Sequence, residues 1–165
     1  MLKIGLISDT HSYLDPNVFL HFETCDEIWH VGDIGQVEDI QKLSDFKATK
    51  AVFGNIDAQD VRVLYPENMI FELEGLKILM THIGALPPYY NPRIRELLTK
   101  HQPNLFICGH SHILRVIKDT KKYNLMYLNP GAAGKHGFHK IRTIMRMDLE
   151  DGKIKNLEVI ELGMR

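Results

Sequence analysis

Short apolar runs that end in carboxylate, imidazole or amide side chains recur five times along this chain. The first run, Lys3-Ile4-Gly5-Leu6-Ile7, is followed at once by Ser8-Asp9-Thr10-His11, in which a carboxylate and an imidazole stand two residues apart. The same order returns before Gly32-Asp33, Gly54-Asn55, Thr81-His82 and Gly109-His110-Ser111-His112. Such runs are typical of buried strands, and parallel α/β sheets hold their ligands at the carboxyl ends of strands. The pattern therefore predicts an α/β fold with seven ligand-type side chains along one edge.

Helix patterns separate the first three of these runs. Residues 15–24 begin with the helix-start signal Asp15-Pro16-Asn17, and residues 37–43 have apolar side chains at i, i+3 and i+6. The segment up to Asn55 is therefore predicted to be β-α-β-α-β, which gives a parallel sheet covered by helices.

The remainder of the chain predicts strands of mixed direction. We expect residues 56–66 to be irregular, residues 69–73 and 76–80 to form a hairpin, and residues 93–101 to form a helix. Four β-like runs follow, at residues 113–118, 125–128, 143–149 and 154–162. Antiparallel strands there imply a second sheet or an extension of the first. Because no repeat or linker interrupts the pattern, residues 1–165 are expected to form a single domain.

Composition narrows the classes of function. A formal net charge of -1 gives no basic field, so stable binding to nucleic acid is not expected. No apolar stretch approaches the roughly eighteen residues of a membrane span, and no signal-peptide pattern opens the chain. Cys25 and Cys108 lie far apart and outside any C-x-x-C, which favours reduced thiols in a cytoplasmic protein. A disulfide is the alternative, and self-association into a homo-oligomer is left open.

The seven candidates are two carboxylates, one amide and four imidazoles, namely Asp9, His11, Asp33, Asn55, His82, His110 and His112. A set without thiolates suits first-row divalent ions and argues against a Cys-rich structural zinc site. Seven side chains exceed the needs of one ion, so we expect two ions about 3.5–4 Å apart, bridged by a carboxylate and a water. Such a pair turns the water into a hydroxide that attacks phosphorus, which predicts phosphoester hydrolysis.

The other five histidines, His21, His30, His101, His136 and His139, follow no strand of this kind and are interpreted as surface or packing residues. The loop of residues 129–134, with residues 135–140 after it, is expected to lie beside the ligand edge. Its small residues permit close approach of the backbone, and its cations could meet an anionic ligand. The alternative is a surface turn between two strands.

Taken together, these motifs resemble those of the calcineurin-like metallophosphoesterases, especially their small bacterial and archaeal phosphodiesterase branch. The resemblance rests on Asp9-x-His11, Gly32-Asp33, Gly54-Asn55-x-Asp57, Thr81-His82 with Gly84, Gly109-His110-x-His112 and Asn129-Pro130-Gly131. It implies a four-layer α/β/β/α sandwich of two mixed sheets flanked by helices. It also implies two divalent metal ions, with Mn²⁺ or Ni²⁺ favoured over Fe, Co or Zn.

The resemblance further assigns the ligands to two ions. One ion would be held by Asp9, His11, Asp33 and His112, and the other by Asp33, Asn55, His82 and His110. Asp33 would be the bridge between them.

One position departs from the family pattern. Many members carry Gly-Asn-His-Asp/Glu, whose histidine contacts the phosphate and protonates the leaving group, whereas this chain has Gly54-Asn55-Ile56-Asp57. Ile56 cannot donate a proton, so esters with poor leaving groups are expected to react slowly. Asn55 and Asp57 are the candidate catalytic residues, with Asp57 as an orienting group or a weak acid. The alternative interpretation of Asp57 is a turn residue.

The sequence therefore predicts a phosphodiesterase that acts on a small-molecule phosphoester. A phosphomonoesterase using the same site is one alternative. A second is a non-catalytic protein-binding scaffold, as in the retromer subunit that resembles this branch, although a binding surface alone needs no complete ligand set. A third is a dinuclear amide hydrolase, but the His-x-His-x-Asp-His run expected of metallo-β-lactamase-like enzymes is missing.

Overall fold

The computed structural model describes all 165 residues and contains ten strands and four helices. The strands are β1 (Leu2–Ile7), β2 (Glu27–His30), β3 (Ala48–Ala51), β4 (Asn68–Leu73), β5 (Leu76–Thr81), β6 (Leu105–Ile107), β7 (Arg115–Asp119), β8 (Leu125–Asn129), β9 (Ile141–Glu150) and β10 (Lys153–Met164). The helices are α1 (Asn17–His21), α2 (Val37–Phe46), α3 (Gln59–Arg62) and α4 (Pro92–His101).

The strands form two sheets of five strands each. The first sheet has the order β10-β9-β1-β2-β3, in which β1, β2 and β3 are parallel and β9 and β10 are antiparallel to their neighbours. The second has the order β4-β5-β6-β8-β7, in which β5, β6 and β8 are parallel and the edge strands β4 and β7 are antiparallel. Both sheets are mixed, as the sequence predicts.

The core lies in three layers because the central strands bury both of their faces. Ile4 and Leu6 of β1 pack between the two sheets with Ile78 and Met80 of β5. Ile7, which points the opposite way, packs on the outer side against the helices of the first sheet. Strands buried on both faces carry continuous apolar runs rather than alternating ones, which is why the runs in this sequence are unbroken.

Helices cover the outer face of each sheet. Phe22, just after α1, and Ile40 of α2 pack against the first sheet, and Ile94 and Leu98 of α4 pack against the second. The start of α4 is well defined, because the Asn91 side chain accepts a hydrogen bond from the Ile94 amide at 2.9 Å and Pro92 occupies the first turn. The predicted four-layer α/β/β/α sandwich is confirmed.

Three local predictions need correction. Helix α1 ends at His21 rather than at residue 24, and β3 ends at Ala51, where its pairing with β2 stops, so Phe53 lies in the loop that leads to Gly54. The segment 56–66 was expected to be irregular but contains α3. That helix is four residues long, too short to leave a periodic apolar pattern.

Cys25 and Cys108 are both free thiols, buried in apolar clusters on opposite sides of the molecule. The disulfide alternative is therefore wrong. No helix of the structure is long and apolar enough to cross a membrane.

Candidate metal centre

The loops that follow β1 and β2 of the first sheet and β5 and β6 of the second bring polar side chains from four parts of the sequence to one place. The prediction that a single sheet edge carries all seven is therefore wrong, because the strand ends of two packed sheets meet here. The first group consists of Asp9, His11 and His112, and the second of Asp33, His82 and His110. Within each group all potential ligand atoms lie within 4.8 Å of one another. A cavity of about 240 Å³ opens over members of both groups, and Asn55 forms part of its wall.

The Asp33 carboxylate lies between the two groups. Its Oδ2 is 3.4 Å from Nε2 of His11, and its Oδ1 is 3.2 Å from Nε2 of His82. Oδ1 of Asp9 lies 3.1 Å from Nε2 of His112 and 3.9 Å from Nε2 of both His11 and His82. Asp33 therefore presents one oxygen to each group, which is the arrangement that a bridging carboxylate requires.

Several atoms at this place have no partner within the chain. Oδ1 of Asp9, Nε2 of His11 and Nε2 of His82 are buried and make no hydrogen bond. A buried polar atom left unpaired costs about 1–3 kcal/mol, so native proteins rarely leave several together. Because these three atoms converge and their chemistry is carboxylate and imidazole, a divalent cation fits between them.

Backbone contacts fix the orientation of the His82 ring. Nδ1 of His82 lies 2.7 Å from the Val31 carbonyl oxygen, to which it donates a proton, so the lone pair of neutral His82 is on Nε2 and faces Asp33. Metal-binding histidines are oriented in this way. Burial alone would lower the pKa of His82, but the Asp33 and Asp9 carboxylates outweigh it and raise the pKa. The site therefore favours positive charge.

The backbone of the candidate ligands is strained. Five of them, Asp9, His11, Asp33, His110 and His112, have φ between 47° and 65°. The left-handed conformation costs a residue other than glycine about 1–2 kcal/mol. Hydrogen bonds hold it here, since the Asp9 amide donates to the Gly32 carbonyl and the His11 amide to the Asp33 carbonyl, both at 3.0 Å. Strain of this kind is concentrated at functional sites.

Two glycines allow the loops to approach the carboxylates. Oδ2 of Asp9 accepts hydrogen bonds from the Ser8 hydroxyl at 2.6 Å and the His110 amide at 3.1 Å, which leaves Oδ1 free. A Cβ on Gly109 would lie 2.1 Å from Oγ of Ser8, and one on Gly54 would lie 2.0 Å from Oδ1 of Asp33. Any larger residue at either position would displace a carboxylate of the centre.

Asp57 and Ile56 occupy different environments. The buried Asp57 carboxylate accepts hydrogen bonds from the Gly35 amide at 2.8 Å and the Gly54 amide at 2.7 Å, and so ties the loop after β2 to the loop after β3. This geometry favours the orienting role over the acid. The Ile56 side chain is 45% exposed and lines the cavity beside Asn55. An apolar group that cannot donate a proton therefore stands beside a candidate metal ligand.

His30 holds two loops of the centre in place through hydrogen bonds. Its Nδ1 accepts a hydrogen bond from the Gly32 amide at 3.2 Å, so its Nε2 carries the proton and donates to Oγ1 of Thr10 at 3.0 Å. The Thr10 hydroxyl in turn donates to the Ile34 carbonyl at 3.0 Å. Burial lowers the pKa of His30 to about 4, which keeps the ring neutral. The interpretation of His30 as a packing residue is confirmed.

The loop of residues 129–140 lies at the centre, as expected from its small residues. The Gly134 amide donates to the Asp9 carbonyl at 3.0 Å, and the ring of His136 stands 4.8 Å from that of His11. His136 also lines the cavity, as expected for the segment that follows residues 129–134, and is not merely a surface or packing residue. Lys135 lies over the Tyr13 ring at 4.3 Å and is not part of the cavity wall.

Comparisons with known proteins give a consistent picture. Residues 2–152 match the sequence profile described as the calcineurin-like phosphoesterase superfamily domain. A probable metallophosphoesterase of Methanocaldococcus jannaschii is 32% identical over 156 residues, which cover 91% of this chain and 77% of that protein. A phosphodiesterase of the same organism is 25% identical over 147 residues, covering 79% of this chain and 83% of that protein.

The fold has counterparts among solved structures. Wild-type Vps29 from Entamoeba histolytica, solved in complex with Zn²⁺, has a TM-score of 0.71 and 19% sequence identity. The match covers 97% of this chain and 99% of that one. At this level of identity the likeness shows the shared fold alone.

Proposed function

Because this chain belongs to the calcineurin-like phosphoesterase superfamily, we propose that it is a phosphodiesterase that hydrolyses small-molecule phosphodiesters with two divalent metal ions. The observation that carries the proposal is the pair of three-residue groups with the Asp33 carboxylate between them, beneath a cavity open to substrate. The phosphodiesterase of Methanocaldococcus jannaschii supports the preference for diesters by its name.

The residues divide between the two ions around Asp33. Asp9, His11 and His112 would hold one ion with Asp33, and Asn55, His82 and His110 would hold the other with the same carboxylate. Two ions so held supply a Lewis acid that polarises the phosphoryl group and lowers the pKa of water. Oxygen and imidazole ligands without sulfur suit Mn²⁺ or Ni²⁺.

The side chains around the cavity would orient the substrate. Asn55 and His110 are exposed at its wall, and the amide nitrogen of Asn55 could donate to a phosphoryl oxygen while its amide oxygen binds the ion. Ile56 offers no proton, so the leaving group would depart with its own negative charge. Phe138 projects fully exposed from the opposite wall and gives an apolar surface for the rest of the ester.

The proposal also covers the domain organisation of the chain, its location and the size of its substrate. We propose that residues 1–165 act as one domain, since strands from both ends of the chain share the first sheet. Two free buried thiols support a cytoplasmic location. A net charge of -1 supports a small-molecule substrate rather than nucleic acid.

A metal-screened hydrolysis assay tests the proposal. Protein reconstituted with Mn²⁺, Ni²⁺, Co²⁺, Fe²⁺ or Zn²⁺ would be assayed on bis(p-nitrophenyl) phosphate, p-nitrophenyl phosphate and nucleotides. We expect metal-dependent hydrolysis with a higher kcat/KM for the diester. His110→Ala should remove it, whereas His101→Ala, a histidine at the end of α4, should not.

The other outcomes point to the alternatives. A higher kcat/KM for the monoester would identify a phosphomonoesterase. Bound metal without hydrolysis of any substrate would favour a binding scaffold.

A further inference from the structure

A second cavity adjoins the metal centre. It has a volume of about 180 Å³ and shares Asn55 and His82 with the centre. The rest of its wall comes from α3 and the loops around it, from the end of β5 and the loop after it, and from the start of α4. It consists of Phe53, Gly54, Arg62, Glu67, Thr81, Ile83 and Arg93. Two guanidinium groups and one carboxylate are therefore the only charged groups of this wall apart from the His82 ring.

Arg62 is held in a fixed orientation. Its guanidinium lies over the Phe53 ring at 4.6 Å, and its Nε donates to the Asp57 carbonyl at 2.6 Å. Its Nη2 donates to the Gly54 and Asn55 carbonyls at 3.4 and 3.3 Å. Its Nη1 makes no hydrogen bond within the chain. A guanidinium that is already ordered loses little further entropy when it binds a ligand.

Arg93 is ordered from the other side of the cavity. Its Nη2 donates to the Ile83 carbonyl at 2.8 Å and to Oγ1 of Thr81 at 3.3 Å, and its Nη1 donates to Oδ1 of Asn68 at 3.0 Å. Nη1 also lies 3.4 Å from Oε1 of Glu67. The Glu67 side chain is 58% exposed, so this ion pair is weak and can be replaced by another anion.

The position of this cavity beside the metal centre determines which part of a substrate can reach it. Asn55 lines both this cavity and the one over the metal centre. A substrate whose scissile phosphate reaches the metal centre at Asn55 would therefore extend its other end towards Arg62 and Arg93. Guanidinium groups bind carboxylates and phosphates through paired, charge-assisted hydrogen bonds.

We propose that this cavity binds a second anionic group of the substrate, a carboxylate or a phosphate on the part of the molecule that is not attacked. The inference rests on the proposed phosphodiesterase function and narrows its substrate class to phosphoesters that carry a further negative charge. Arg62 and Arg93 supply the binding groups. Glu67 competes with the ligand for Arg93 and so limits its affinity.

Binding of matched probes to metal-loaded protein tests this by calorimetry. Ethyl phosphate carries no second anion, 2-phosphoglycolate adds a carboxylate, and 1,2-ethanediol bisphosphate adds a phosphate. We expect each probe with a second anion to bind at least about 10-fold more tightly than ethyl phosphate, as a charge-assisted pair provides. The two probes together show which second anion is preferred.

The ratio of the affinity for a probe with a second anion to the affinity for ethyl phosphate should change in opposite directions in two variants. Arg93→Gln should lower this ratio several-fold, because only Arg62 remains to bind the second anion. Glu67→Gln should raise it several-fold, because the competing carboxylate is removed, and a damaged fold would not produce such a gain. Arg95→Gln, an exposed arginine of the same helix outside the cavity, is the control and should leave the ratio unchanged.

The outcomes separate this inference from the function on which it rests. Equal affinity for all three probes, or a lower ratio in Glu67→Gln, would overturn the second-anion site even if bis(p-nitrophenyl) phosphate is hydrolysed. If no probe binds and no diester is hydrolysed with any metal, the proposed function fails and the inference falls with it.

Discussion

Two buried polar clusters of this molecule differ in whether their charged groups have partners within the chain. In the first, Nη1 of Arg142 donates to Oδ2 of Asp15 at 2.6 Å, while its Nε and Nη2 donate to the carbonyls of Met164 and Leu162, each at 3.0 Å. The other Asp15 oxygen accepts from the Asn17 amide at 2.9 Å. Every charge of this cluster is therefore compensated within the chain.

Asp9, Asp33 and His82 of the metal centre are equally buried, but their polar atoms are not compensated in this way. Asp9 and Asp33 bring two negative charges together, and Nε2 of His11 and Nε2 of His82 face them without hydrogen bonds. Five of its residues are held in a strained backbone conformation as well. The Asp15–Arg142 pair is therefore complete within the chain, whereas the metal centre leaves buried polar atoms that a cation could bind.

The largest effect is expected from Asp33→Asn. Because one carboxylate serves both ligand groups, its loss should lower kcat/KM at least about 10³-fold, which corresponds to several kcal/mol of transition-state stabilisation. Without metal the variant should be as stable as the wild type or more so, since one of two neighbouring negative charges is gone. Hydrolysis rates and thermal melts measure the two effects. Asp45→Asn, an exposed carboxylate, is the control. Unchanged hydrolysis in Asp33→Asn would rule out the bridge.

Arg142→Ala should show the opposite behaviour. Removing one partner of a buried ion pair leaves an uncompensated charge and should lower the free energy of unfolding by about 3–5 kcal/mol. Metal stoichiometry should not change. Urea unfolding measures the loss, and adding Asp15→Asn should recover part of it. No recovery would show that packing rather than charge accounts for the cost.

The same pair predicts a pH dependence. Burial would raise the pKa of Asp15, but the hydrogen bond and charge of Arg142 outweigh it and lower the pKa below its ordinary value. The stabilisation is therefore complete above the unfolded pKa and is lost as the pH falls through the lowered one. In Arg142→Ala this acid-dependent loss should be smaller.

Ile56→His adds to the metal centre the group that it lacks. A positioned general acid contributes about 10²–10⁴-fold, and we expect the lower end because the new ring has no supporting hydrogen bonds. The gain should appear on alkyl diesters, so the slope of log kcat/KM against leaving-group pKa should become shallower. A flat plot for the wild-type protein would show that another residue already donates the proton or that chemistry is not rate-limiting.

A smaller effect is expected from metal alone. A ligand at 100 times its Kd stabilises the folded state by about 2.7 kcal/mol. Mn²⁺ should raise the free energy of unfolding of the wild type and of Arg142→Ala by the same amount, and that of Asp33→Asn by less. An equal gain in all three would mean that the cation binds away from Asp33.

The difference between the two clusters also explains what the sequence could predict. Asp9 and His11 stand directly after a buried strand, so a local pattern locates them. His82 and His110 also follow strands, but those strands belong to the second sheet, and the packing of the two sheets brings the two pairs together. The Asp15–Arg142 pair left no such pattern, because its members are 127 residues apart in the chain. Its formation depends on β9 lying beside β1, which is known only from the folded structure.

Several residues around the metal centre could not be predicted either, because contacts distant in sequence place them. The orienting role of Asp57 depends on the amides of Gly35 and Gly54, which local sequence does not place. Arg62 and Arg93 line one cavity from two helices with unrelated patterns. Residues fixed by strand ends were therefore predictable, and residues fixed by tertiary contacts were not.

Anomalous diffraction from crystals of Mn²⁺-loaded protein tests the central claim most directly. We expect two peaks, one among Asp9, His11 and His112 and the other among His82, His110 and Asn55, with an oxygen of Asp33 bound to each. A single peak, no peak, or peaks that do not touch Asp33 would contradict the shared-carboxylate centre.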